Sequence, residues 1–129
     1  MRVFVAGLTL WLLQAGGADP KSLDRLVATE RAFAAATGEA GVRDGFLAFF
    51  ADDAIQIRPG VAGKPATVSL ARPALAQSDL GPVPPVNRLA WAPYTGHASA
   101  DGSLGWLTGA FVSRNAVTNA IVSNGAYFT

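Results

Sequence analysis

The sequence has no cysteine and a single histidine. The first absence excludes disulfides, thiolate metal sites, a cysteine nucleophile and an acyl anchor on cysteine. The second excludes two- and three-histidine metal centres built from this chain alone. Charge is sparse too. Charged residues make up 15%, with ten basic side chains against nine acidic ones and a formal charge of +1. No basic stripe is available to neutralise phosphates, so no nucleic acid partner is expected. No Asn-x-Ser/Thr acceptor occurs, and no apolar run approaches the ~20 residues of a membrane-spanning helix. What the chain does have is apolar side chains, 50% of its 129 residues. That is the composition of one folded domain, the opposite of a disordered one.

Met1–Ala18 reads as a secretory signal peptide. Arg2 is a short basic start, Val3 to Leu13 is apolar apart from Gly7 and Thr9, and Ala15, Gly16, Gly17 and Ala18 are small. Those are the three regions export requires, and the apolar stretch is too short to span a bilayer. The alternative is a buried N-terminal helix or strand. Without Arg2, basic and acidic side chains balance. The expectation is therefore a neutral domain over 19–129, secreted or periplasmic, with no membrane attachment after cleavage.

Helical signals come first. Asp19-Pro20 is a start signal, and Leu23, Leu26, Val27, Glu30, Phe33, Ala34 and Thr37 recur at spacings of three and four up to Gly38. Val42, Phe46, Phe49 and Phe50 form a second, shorter helical face. Ala54–Arg58 alternates as a strand and closes at Pro59-Gly60. Lys64–Arg72 reads as a weak third helix stopped by Pro73, followed by an irregular loop over Ala74–Asn87. Arg88–Tyr94 is a strand with Leu89 and Trp91 in phase. Asp101-Gly102 predicts a two-residue type I′ turn, which sets His97 opposite Trp106. Trp106, Thr108, Ala110 and Val112 then share one face, with Leu107 and Phe111 on the other. Arg114–Ala120 is turn-like and Ile121–Thr129 is a last strand. Helices followed by an antiparallel meander define an α+β pattern, with a ligand cavity expected between the layers.

Six segments in order carry a family resemblance: Glu30-Arg31-Ala32-Phe33-Ala34, Phe46-Leu47-Ala48-Phe49-Phe50-Ala51-Asp52-Asp53-Ala54, Arg58-Pro59-Gly60, Leu89-Ala90-Trp91-Ala92-Pro93, the stretch Ser99 to Gly109, and Asn124-Gly125-Ala126-Tyr127. From Leu23 onward the chain resembles the nuclear-transport-factor-2-like superfamily, closest to its secreted SnoaL-like or ketosteroid-isomerase-like proteins of unassigned function. The resemblance implies a cone-like fold, with N-terminal helices packed on a strongly curved antiparallel sheet. Family members continue past the Gly-x-Tyr strand through a Trp-containing segment to a final strand. This sequence stops at Thr129, so the expectation is a missing last strand, with three alternatives: a fragment, a truncated gene product, or a member that closes its open edge by homodimerisation. The position matched by Ser103 is often acidic in the family, so a charge role there is absent.

Glu30 lies on an apolar stripe. Facing a cavity it could act as acid or base; otherwise it fastens the helix by hydrogen bonds or an arginine pair. His97 changes charge near neutrality and is the second catalytic candidate, or else a solvated strand residue. Asp52-Asp53 reads as a helix-to-strand turn, since adjacent carboxylates seldom converge across a cleft. A triad of Ser99, His97 and Asp101 lacks a strand–elbow–helix context. The aspartate, tyrosine and protonated acid of ketosteroid isomerases have no counterparts at matching positions. Trp91, Tyr94, Trp106, Phe111 and Tyr127 are the candidate ligand-binding residues, or simply core. No cofactor and no metal is implied. Three classes follow: an exported domain binding a small apolar or aromatic molecule, an isomerase-, cyclase- or dehydratase-like enzyme using Glu30 or His97 with Tyr127 or Tyr94, and a structural or dimerisation domain.

Overall fold

The computed structural model describes residues 20–58, 60, 63–78 and 86–129. The proposed signal segment, the Asp19 cap, Pro59 and most of the irregular loop lie outside the described residues. The order is α1 (Pro20–Ala40), α2 (Val42–Phe49), β1 (Ile55–Arg58), β2 (Thr67–Leu70), α3 (Ala71–Ala76), β3 (Asn87–Ala98), β4 (Gly105–Asn115) and β5 (Ile121–Phe128). The α+β arrangement with helices first agrees with the sequence pattern.

Helix α1 runs past Gly38, because the break comes at Gly41, whose φ of 86° leaves the helical region. Its buried positions, Ser22, Glu30, Phe33 and Thr37, follow the helical stripe. Phe33 is 6% exposed and sits within 6 Å, centroid to centroid, of Phe46, Phe49, Phe50 and Trp91. Edge-to-face and offset ring contacts of this kind weld α1, α2 and β3 into one core. Arg72 anchors the far side of α2. Its Nη1 donates to the carbonyls of Leu47 (2.6 Å) and Phe50 (2.7 Å), satisfying acceptors that a helix end leaves open.

The third helix is displaced from its expected place. Thr67, Val68 and Ser69 form strand β2, paired antiparallel with β1 from Ile55↔Leu70 to Arg58↔Thr67. β-Branched side chains fit an extended backbone better than a helix. The helix begins at Ala71, and Pro73 sits in its first turn, where a missing N–H costs no hydrogen bond. The pair β1–β2 is a separate two-stranded sheet, while β3, β4 and β5 form a three-stranded meander.

At the meander's hairpin, His97 does pair with Trp106. The turn is not type I′, though. Gly102 N–H bonds the Ser99 carbonyl (2.9 Å), and of the turn residues only Gly102 has positive φ, 68°. The tight turn spans Ser99 to Gly102, one residue earlier than expected, inside a four-residue loop. Both loops are symmetric about the same midpoint, so the register survives the change of turn.

The sheet is open and not strongly curled. The strongly curved cone is absent from the described residues for a visible reason: no ladder joins the β1–β2 ribbon to the meander, so no continuous sheet wraps the helices. One face of β3 and β4 packs on α1, and Leu107 at 1% exposure is the centre of that contact.

Phe33→Ala should lower unfolding free energy by ~3–5 kcal/mol in urea titrations, the usual effect of emptying a buried aromatic site. A loss below about 1 kcal/mol would mean the ring cluster is not the core.

Candidate functional site

Between α1, α2 and the inner face of the meander lies a half-open cavity of about 310 Å³. Phe33, Phe46 and Phe50 come from the helices, Leu89 and Trp91 from β3, Phe111 from β4, and Tyr127 and Thr129 from the chain's end. The strand residues converge through pairing. Trp91 is opposite Phe111, and Tyr127 is opposite Gly109. A Cβ on Gly109 would meet the Tyr127 ring edge at 2.9 Å, so this glycine lets the phenol ring lie over the sheet.

Glu30 is the one acidic residue of the lining and is 6% exposed. Trp91 Nε1 donates to its Oε1 at 2.7 Å, a short charge-assisted bond across 61 residues of chain. The Thr129 hydroxyl donates to Oε2 at a long 3.4 Å. Neither partner is a cation. The ion pairs among the described residues, Arg43–Asp44 and Arg72–Asp52, lie elsewhere.

Tyr127 adds a second polar atom. Its hydroxyl is buried with no hydrogen-bond partner of good geometry. Burial pushes its phenol up to about 12, and the charge of Glu30 adds to the effect. The carboxylate acts on the phenol through its charge first and through a poorly aligned hydrogen bond second. The cavity thus presents the acceptor oxygens of Glu30 and the neutral O–H of Tyr127 among mainly aromatic and aliphatic side chains.

The structure brings Glu30, Trp91, Phe111 and Tyr127 together. It keeps His97, Trp106 and Tyr94 apart from them. His97 and Trp106 pair on the outer face, where Trp106 stacks on Phe128 at 5.7 Å and His97 is exposed. Alternation along β4 already separates Trp106 from Phe111. The register slips between Pro93 and Thr95, which leaves Tyr94 as the bulged residue, 71% exposed, in a separate groove with Leu23, Val27 and Arg31. The Ser99 hydroxyl donates directly to Asp101 (2.6 Å) rather than to His97. That bond first, then the Ser103 N–H, holds the Asp101 carboxyl down at about 2. Sequence reasoning named none of Phe33, Phe46, Phe50, Ile57, Leu89 and Phe128 as site residues, although their apolar periodicity marked several as buried, and it missed Thr129 and Gln56, which stand in no pattern that marks them. Among the described residues no group of three His, Cys, Asp or Glu could hold a metal, and no helix is long and apolar enough to cross a membrane.

A phenol pKa raised by folding means that the native state holds its proton more tightly than the unfolded chain does. The associated stability is complete below about pH 10, the unperturbed value, and is lost as pH climbs through about 12. Tyrosinate absorbance should show a step near 12 that Tyr127→Phe removes. Ionisation of Tyr127 at the ordinary value would take it out of the neighbourhood of Glu30.

No family model matches this chain, and neither a curated protein nor a solved structure does.

Proposed function

We propose that this domain binds a small apolar or aromatic molecule in the cavity between α1 and the meander. One observation carries the reading: a nine-tenths buried carboxylate and a buried phenol hydroxyl sit in a cavity lined mainly by aromatic and aliphatic side chains. Its size falls at the lower end of ligand sites, which run from ~300 to ~1,000 Å³. A few polar groups on an apolar wall are what orients a bound molecule. The order of the sequence motifs supports a nuclear-transport-factor-2-like reading, in which a ligand lies between the helices and the sheet.

Titration with naphthalene, followed by two-dimensional NMR, is the direct test. Signals of Glu30, Trp91, Phe111 and Tyr127 should shift together and saturate, while those of His97 and Trp106 stay still. Shifts confined to the outer face, or none at all, would sink the proposal.

An acid–base enzyme is the second reading, favoured by the nearness of Glu30 to the neutral Tyr127 phenol. In that case Glu30→Gln abolishes turnover and leaves ligand affinity nearly intact.

Export is part of the proposal and rests on the basic, apolar and small-residue regions of Met1–Ala18. Association with a second copy is supported by Ile121, Val122 and Phe128 of β5, all more than half exposed on a strand with a free edge. Native mass spectrometry of protein from the export compartment should give a dimer of chains beginning near Asp19. A full-length chain beginning at Met1 would refute cleavage, and a monomer at micromolar concentration would refute the association.

A further inference from the structure

A carboxylate withdrawn from water needs compensation, either from a cation or from a full set of hydrogen-bond donors. Glu30 has neither. It is 6% exposed, its donors are a neutral indole N–H at 2.7 Å, a distant threonine hydroxyl at 3.4 Å and the poorly aligned Tyr127 hydroxyl, and no ion pair reaches it among the described residues. Two carboxylate oxygens offer about four acceptor sites, so at least one stays open. The surrounding wall is mostly π-systems, with Ile57 and Leu89 between them and Gln56 and Thr129 as the further polar side chains. Trp91 stands edge-on to Phe33 at 4.8 Å and to Tyr127 at 6.4 Å, and Phe46 lies 5.8 Å from the same indole. Rings placed around a point of negative charge attract a positive group, since ring faces and carboxylate act on it with the same sign. The Tyr127 hydroxyl oxygen, buried nearby, can accept a further N–H.

We infer that the cavity takes a cationic amine, whose protonated nitrogen pairs with Glu30 while its apolar body lies against Phe33, Phe46, Trp91 and Phe111. The inference rests on the ligand-binding reading above and narrows it to one charge class. An arginine would be the usual internal partner for such a carboxylate. Here the arginines that the described bonds involve are engaged elsewhere: Arg72 on the end of α2, Arg43 on Asp44, Arg25 on Ser22 and Arg114 on the Asn119 carbonyl. The missing positive charge therefore falls to the ligand.

The test compares two probes of nearly equal shape in the full chain, phenethylamine and 2-phenylethanol, by isothermal titration calorimetry at neutral pH. The amine should bind more tightly by about tenfold or more, the scale of an ion pair reinforced by ring faces. Glu30→Gln keeps an acceptor for Trp91 and removes the charge, so it should erase that preference while retaining the alcohol's affinity. Equal or weaker binding of the amine by the native chain overturns the inference without recourse to any variant. Survival of the preference in Glu30→Gln overturns it as well. If naphthalene saturates the cavity but the amine shows no advantage, only the charge class is wrong. If neither naphthalene nor the two phenyl probes bind, the ligand-binding reading itself has failed. Arg88→Gln, a change on the outer face, serves as the control and should leave both affinities unchanged.

Discussion

The bond from Trp91 Nε1 to Glu30 Oε1 ties the first helix to the first strand of the meander, between a buried carboxylate and a half-buried indole. Its energetics are unbalanced. Withdrawing a carboxylate from water costs several kcal/mol, and one hydrogen bond to a charged group returns about 1.5–3 kcal/mol. The remainder is tolerable because the aromatic core around it is already assembled by other forces. Phe33 gathers four rings from α2, its C-cap and β3, and Arg72 locks the end of α2 from outside the cavity. Remove that framework and Glu30 would turn to water. Keep it, and a polar group is held where its unmet bonding capacity faces an open volume.

This arrangement divides labour between the two layers. The helices supply apolar bulk and one carboxylate, and the strands supply every other polar atom near it. Cross-strand pairing fixes those atoms more firmly than loops could. Tyr127 is held over Gly109 by register, while backbone bonds in both directions between Thr129 and Leu107 carry the β4–β5 ladder to the edge of the cavity. The site is therefore a product of sheet register. A one-residue slip of β5 would turn Tyr127 to the other face of the sheet.

Much of this was legible before any coordinates. The spacing of Glu30 and Phe33 put them on one stripe, and that stripe is buried. The pairing of His97 with Trp106 followed from the Asp101-Gly102 signal even though the turn is of another kind, because two loops with a common midpoint give one register. The faces of β4 also followed from alternation. Treating Trp91 and Trp106 as partners in one cavity ignored that alternation. Other features had no local signature. The bulge at Tyr94 depends on how Pro93, which lacks an N–H, meets Gly109 across the ladder. The change of Thr67–Leu70 from helix to strand depends on β1 being available as a partner, a tertiary fact that short-range propensity cannot encode. The strong bend implied by the family resemblance would need a ladder between the ribbon and the meander, and residue types at the strand edges do not dictate one.

Placing the two described tryptophans on opposite faces of one sheet has a spectroscopic consequence. Trp91 is packed among rings and bonded to a carboxylate, while Trp106 stands at 36% exposure beside Phe128. An aqueous quencher should reach the second indole long before the first. The emission of these two indoles is thus separable by solvent access, one reporting the cavity and the other the outer face. The protein carries its own pair of optical probes, and events on either side of the sheet can be followed without attaching a label.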